Sequence, residues 1–98
     1  QRRQRLWDNQ RYFVERMAPL GYQILSTATP IVPVLIGDAA QCQRHAQALR
    51  KEGIHVDAIQ FPAAPLGQAR LRFMMNAGHT REQIDHAVAV MARLAGRV

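Results

Sequence analysis

The segment Ala69-Arg70-Leu71-Arg72-Phe73-Met74-Met75 alternates between two kinds of side chain. In an extended backbone successive Cβ atoms point to opposite faces, so Ala69, Leu71, Phe73 and Met75 share one face and Arg70, Arg72 and Met74 the other. A strand of this kind buries one face and places two arginines together on the second. Working outward, the loop Pro62-Ala63-Ala64-Pro65-Leu66-Gly67 precedes it, and its two prolines restrict backbone freedom. Before that loop, residues 54–61 read as another strand. The clearest strand is the apolar run Ile31-Val32-Pro33-Val34-Leu35-Ile36, in which Pro33 lacks an amide donor and so predicts an edge position or a neighbouring bulge. A short strand over residues 22–25 is joined to this run by the turn Ser26-Thr27-Ala28-Thr29-Pro30.

Three helices fill the remaining chain. Leu6, Phe13, Val14, Met17 and Leu20 recur at helical spacing with charged residues between them, and Pro19 and Gly21 mark the exit. Asp38 supplies an N-cap with Gln41 three residues on, giving a helix to about Glu52 that Gly53 stops; Cys42, Ala46 and Leu49 form its apolar stripe. Thr80 and Gln83 form a second capping pair ahead of Ile84, Ala87, Val88, Met91 and Leu94. The order helix, strand, strand, helix, strand, strand, helix predicts an α+β fold, a small mainly antiparallel sheet covered on one face by helices.

Composition agrees with a single folded domain: 98 residues, 48% of them hydrophobic and 20% charged, exclude a disordered tail. Thirteen basic and seven acidic residues leave +6, yet Lys51 is the only lysine. A single cysteine, Cys42, excludes an internal disulfide and any cysteine-rich zinc module, so a cytoplasmic setting is expected. No apolar run approaches the roughly 18 residues of a membrane span, and Gln1-Arg2-Arg3-Gln4-Arg5 lacks the apolar stretch of a secretory signal. The first residue is not methionine, and the chain reads as a piece of something longer.

Few residues offer chemistry of their own. His45, His55, His79 and His86 fall on separate elements without the spacing of a metal site, and the glycines are dispersed as turn and cap residues rather than gathered into a phosphate cradle. Cys42 on an apolar stripe reads as packing. The first helix carries five arginines and two acids through Arg16, too weak a signal for nucleic acid without more interleaved aromatics. Arg70 and Arg72 differ, because they point the same way from a strand behind a stiff loop. A planar guanidinium suits bidentate capture of a carboxylate. The alternative is that both are ordinary exposed strand residues.

Taken together, Ile31-Val32-Pro33-Val34-Leu35-Ile36-Gly37-Asp38, Leu49-Arg50-Lys51-Glu52-Gly53-Ile54-His55-Val56, the stretch from Pro62 through Arg72, and Ala77-Gly78-His79-Thr80-Arg81-Glu82-Gln83-Ile84 resemble the carboxy-terminal small domain of the α-oxoamine synthases. Leu6-Trp7-Asp8-Asn9 resembles the helix leading out of that family's large domain, which divides the chain into a connecting helix over 1–20 and a small α+β domain over 21–98. The resemblance implies the aspartate-aminotransferase fold (fold type I) and a pyridoxal 5'-phosphate enzyme condensing an amino acid with an acyl-CoA or acyl-carrier-protein thioester, active as a homodimer. It assigns Arg72 to the amino acid's carboxylate and gives the 62–67 loop a place beside the active-site entrance. By these motifs the chain is most similar to the glycine C-acetyltransferases (2-amino-3-ketobutyrate CoA ligases), with 8-amino-7-oxononanoate synthase and serine palmitoyltransferase also similar. Gln60 stands where bacterial serine palmitoyltransferases carry an arginine, Asn76 where serine is common, and Ala64 where threonine or valine is usual. The resemblance implies that the lysine bonding the cofactor belongs to the large domain, and Lys51, on the polar side of a helix beside Glu52, does not suit that role. No catalytic, cofactor-binding or metal residue is therefore expected in this chain, which alone should be inactive. The competing expectation is a free-standing basic α+β module that binds nucleic acid or a regulatory ligand.

Overall fold

The computed structural model describes residues 2–96, so Gln1, at the head of the expected connecting helix, and residues 97–98, at the end of the expected small domain, lie outside the described residues. Helix α1 (Arg2–Met17) runs into a single 3-10 turn (Ala18–Leu20) that contains Pro19, and Gly21 at φ 86° turns the chain toward the sheet. Strands β1 (Gln23–Ile24) and β2 (Ile31–Gly37) follow, then helix α2 (Ala39–Lys51), strands β3 (Val56–Ile59) and β4 (Ala69–Met74), and helix α3 (Arg81–Leu94). This is the expected α+β order, with β1 and β3 shorter than their apolar segments suggest.

The sheet order is β1-β2-β4-β3, and each neighbouring pair is antiparallel. Pro33 thus lies on an inner strand, which corrects the edge position expected of it; the other expectation holds, because a register shift falls between Leu35 and Gly37. Two details explain how the sheet tolerates a residue without an N–H. The Pro33 carbonyl accepts from Leu25 N–H at 2.9 Å, so the nitrogen of the same residue also faces β1, where pairing is only two residues long. Toward β4, Pro33 sits opposite Arg72 at a position that requires no ladder bond.

All three helices cover one face. Phe13 and Met17 from α1, Cys42, Ala46 and Leu49 from α2, and Ile84, Ala87, Val88, Val90 and Met91 from α3 meet Val32, Val34, Val56, Ala69, Leu71 and Phe73 from the sheet in one core. At its centre the Phe13 and Phe73 rings lie 4.9 Å apart and tilted by 42°. Each large side chain buried here contributes roughly 1.5–3 kcal/mol. The capping expectations divide. Thr80 and Gln83 form the full reciprocal box, whereas at α2 Asp38 accepts from Gln41 N–H at 2.9 Å without the return bond.

Two buried polar residues on α1 tie the helix to loops. Gln10 donates to the Thr27 and Thr29 carbonyls at 3.0 and 3.4 Å, and Asn9 donates to those of Asn76 and His79 at 2.8 and 3.0 Å. Helix α1 is therefore fixed both to the β1–β2 connection and to the turn between β4 and α3.

Candidate functional site

The uncovered face of the sheet is where the two arginines emerge. Along β4 the burial alternates, with Ala69, Leu71 and Phe73 buried and Arg70, Arg72 and Met74 turned outward, as the sequence predicts. Register places Asp57 of β3 and Pro33 of β2 on either side of Arg72, Ile59 and Leu35 beside Arg70, and Ile31 beside Met74. The face is thus an apolar surface with a short charged row across it. Ile31 and Met74 are 38% and 51% exposed.

The two guanidinium groups are held differently. Arg70 leans back along its own strand, donating from Nε to the Gln68 carbonyl at 3.2 Å and from Nη2 to the Gln68 side-chain oxygen at 3.4 Å. Arg72 donates from Nη2 to Asp57 Oδ2 at 2.9 Å. This ion pair is half exposed, with the side chains of Arg72 and Asp57 showing 43% and 48% of their surface. The Arg72 Nε is buried and has no acceptor among the described residues. Its guanidinium is therefore anchored by a single bond and is not saturated, unlike the two-bond fork that an arginine can form with a carboxylate.

Beside this face, the loop between β3 and β4 displays Phe61 and Leu66, 59% and 77% exposed, while Ala64 is buried. The loop is nonetheless secured at its base. Ala64 N–H donates to the Gln60 carbonyl at 3.1 Å, Gln68 N–H to that of Pro65 at 3.0 Å, and the Gln60 side chain accepts from Gln43 of α2 at 2.9 Å. At the point where the loop meets β2, Gly37 at φ 99° lies against Gly67; a Cβ there would stand 3.6 Å from the Gly67 carbonyl oxygen. The left-handed backbone more than the space available makes glycine the suitable residue.

The remaining candidates separate from this face. His55, His79 and His86, on three different stretches of sequence, come together with Glu52, Asn76 and Gln83 around a cavity of about 380 Å³ at one end of the sheet. Sequence spacing did not signal that convergence. Glu52 pairs with Arg93 at 3.4 Å, and its other carboxylate oxygen lies 3.4 Å from His86 Nε2. Burial lowers the His79 imidazole below its ordinary pKa, and its Nδ1 accepts the Asn76 N–H at 3.2 Å, a bond that requires the neutral ring. No group of three or more His, Cys, Asp or Glu among the described residues is placed to hold a metal ion. Cys42 is fully buried on the inner side of α2, and burial pushes its thiol up, the opposite of an activated nucleophile. Lys51 is exposed in the last turn of α2, in the helical layer and so on the other side of the sheet from Arg72. The hollow it lines, with Arg44, Gln47, Ala48 and Arg50, is formed by residues of α2 itself and is wide open to solvent. The arginines of α1 are partly neutralised, Arg11 by Asp8 and Arg16 by Asp85, which reduces the field this helix presents to a polyanion.

Residues 1–91 match the family of class I and II aminotransferases. The chain is 47% identical to 8-amino-7-oxononanoate synthase of Alkaliphilus oremlandii over 92% of its own length and 23% of that protein's. It is 45% identical to 2-amino-3-ketobutyrate coenzyme A ligase of Escherichia coli over 94% of its length and 23% of the relative's. Among solved structures, serine palmitoyltransferase with its PLP internal aldimine superposes with a TM-score of 0.86 at 30% identity, covering 98% of this chain and 25% of that one. The chain spans about a quarter of the relatives it matches.

Proposed function

This chain belongs to the class I and II aminotransferase family, and within it to the α-oxoamine synthases; from that premise we propose that it forms the carboxy-terminal small domain of an enzyme that condenses an amino acid with an acyl thioester. Residues 1–20 lead out of a large domain, and residues 21–98 form the small one. In this reading Arg72 binds the carboxylate of the amino-acid substrate. The observation that carries it is the placement of this guanidinium: on an inner strand, on the sheet face that no helix covers, half exposed and held by one bond.

Arg72 acts by position. Its planar fork donates two parallel bonds to a carboxylate, which fixes the direction of the substrate's Cα substituents as well as its location. Arg70 has a supporting part, keeping the face electropositive while bound to Gln68. Pyridoxal phosphate is placed outside these residues, because the sole lysine does not fit it and nothing else here would anchor it covalently. The acyl donor is a thioester of coenzyme A or of a carrier protein, and the complete enzyme is a homodimer. Alone, the chain is inactive.

The test is Arg72→Ala in the full-length polypeptide. Loss of a charge-assisted contact should raise the amino-acid KM about tenfold or more and leave the acyl-donor KM unchanged. Arg72→Lys should recover only part of the loss, since an ammonium cannot reproduce the fork. An amino-acid KM unaltered by Arg72→Ala removes Arg72 from the site.

A further inference from the structure

The uncovered sheet face holds an anion that the carboxylate-binding role of Arg72 does not by itself explain. Asp57 stands directly opposite Arg72 in the β3–β4 register, its Oδ2 2.9 Å from Nη2. The neighbour on the other side is Pro33, which brings no charge. Arg70, two residues away on the same face, is bonded among the described residues to Gln68 alone. Of the two arginines, therefore, the one assigned to the substrate is the one with a resident carboxylate.

We propose that Asp57 is the counter-ion that an incoming amino-acid carboxylate must displace from Arg72, and that it sets the enzyme's apparent affinity for the amino acid. The proposal rests on the reading of Arg72 as the substrate's anchor. Three observations carry it. The pair is monodentate, so a ligand offering two parallel bonds to the guanidinium forms a stronger contact than the one it replaces. Both partners are half exposed, which leaves Asp57 able to swing into water when displaced. Finally, Asp57 brings Arg72 close to local neutrality, so a substrate anion meets less attraction than an unpaired guanidinium would exert, and two carboxylates sharing one cation repel each other.

An unpaired guanidinium attracts small carboxylates and phosphates without selecting among them. The resident aspartate keeps this position occupied until a ligand arrives that can take both nitrogens and is held elsewhere as well. Asp57 is thus a positioning and selecting residue rather than a participant in bond making.

The experiment uses the full-length holoenzyme with three substitutions: Asp57→Asn, which keeps shape and removes charge, Asp57→Glu, which keeps charge, and Arg72→Ala. Amino-acid affinity is read twice, as the calorimetric Kd without acyl donor and as KM. For a half-exposed ion pair the expected effect of Asp57→Asn is a lowering of both by about two- to fivefold. The acyl-donor KM and the melting temperature should hold, and Asp57→Glu should stay near the parent. If Arg72→Ala weakens amino-acid binding while Asp57→Asn leaves it unchanged or weakens it too, Asp57 is no competitor and this inference is overturned alone. If Arg72→Ala leaves binding unchanged, the anchor reading falls and the present one with it.

Discussion

Removing the side-chain amide of Asn9 should detach helix α1 from the turn that launches α3, and the size of the effect can be worked out. Asn9 is 8% exposed, and both hydrogens of its Nδ2 are used, one on the Asn76 carbonyl at 2.8 Å and one on that of His79 at 3.0 Å. A net value of about 1 kcal/mol for each bond, with a further contribution from partly desolvated carbonyls left unpaired, gives roughly 2–3 kcal/mol for Asn9→Ala. In a domain of this size each kcal/mol moves the melting temperature by about 4–8 °C, so a fall of roughly 10–20 °C is expected. Urea unfolding of the chain followed by circular dichroism is the assay, with Gln4→Ala as the control. Gln4 also donates a hydrogen bond from its side-chain amide, to Asp8 Oδ1 at 3.0 Å, but on the exposed side of the same helix. Asn9→Asp should be worse than Asn9→Ala, because it directs a carboxylate at two carbonyl oxygens. If Asn9→Ala lies within about 0.5 kcal/mol of the control, or if Asn9→Asp is the milder change, the two bonds do not fix the helix.

Two further outcomes follow from the packing and the titration of the same region. Phe73→Ala removes a ring that is 1% exposed and 4.9 Å from Phe13, and should cost about 3–5 kcal/mol by chemical denaturation; a loss under about 1 kcal/mol would contradict the core as described. Burial lowers the His79 pKa in the folded chain, so the unfolded chain takes up the proton more readily. The stability due to this residue is therefore fully present above the ordinary imidazole value of about 6.5 and is lost progressively as pH falls below it. His79→Gln should flatten that part of the pH–stability curve, and a proton NMR titration of His79 at or above the ordinary value would refute the sign.

The strands and helices were legible because their patterns are local. The alternation of residues 69–75 specifies which side chains of β4 enter the core, and Thr80 with Gln83 specifies where α3 begins. Of the two alternatives for Pro33 the neighbouring bulge holds and the edge position fails, for an instructive reason. A missing N–H restricts a strand only on the side to which that residue's backbone points, and which side that is depends on pairing, which sequence does not display. Residue type and spacing bring out Arg70 and Arg72 together, and the family resemblance is what singles out Arg72; Asp57 stays hidden, since it lies fifteen residues away across a loop and becomes a neighbour of Arg72 only through register. The loop-tying bonds of Asn9 and Gln10 are hidden from sequence for a related reason. Polar residues on a helix read as solvated until the loops that receive their hydrogen bonds are in place. The clustering of His55, His79 and His86 is likewise a product of tertiary structure.

The arrangement of β4 ties the position of the proposed anchor to the stability of the core. A one-residue slip of β4 would send Arg70 and Arg72 into the helical layer and Leu71 and Phe73 into water, because the faces of a strand alternate with period two. The burial of Ala69, Leu71 and Phe73 therefore fixes the Cα of Arg72 and the direction in which its side chain leaves the sheet. The guanidinium is placed by hydrophobic packing on the opposite face, with no dedicated scaffold of hydrogen bonds, and its single bond to Asp57 leaves the end of the side chain free to adjust. A side chain placed this way is rigid at its root and adaptable at its tip. Substitutions that loosen the inner face, such as Phe73→Ala, should then weaken amino-acid binding in the full-length enzyme even though they touch no residue of the outer face, whereas those in the solvated flank of α2 should not.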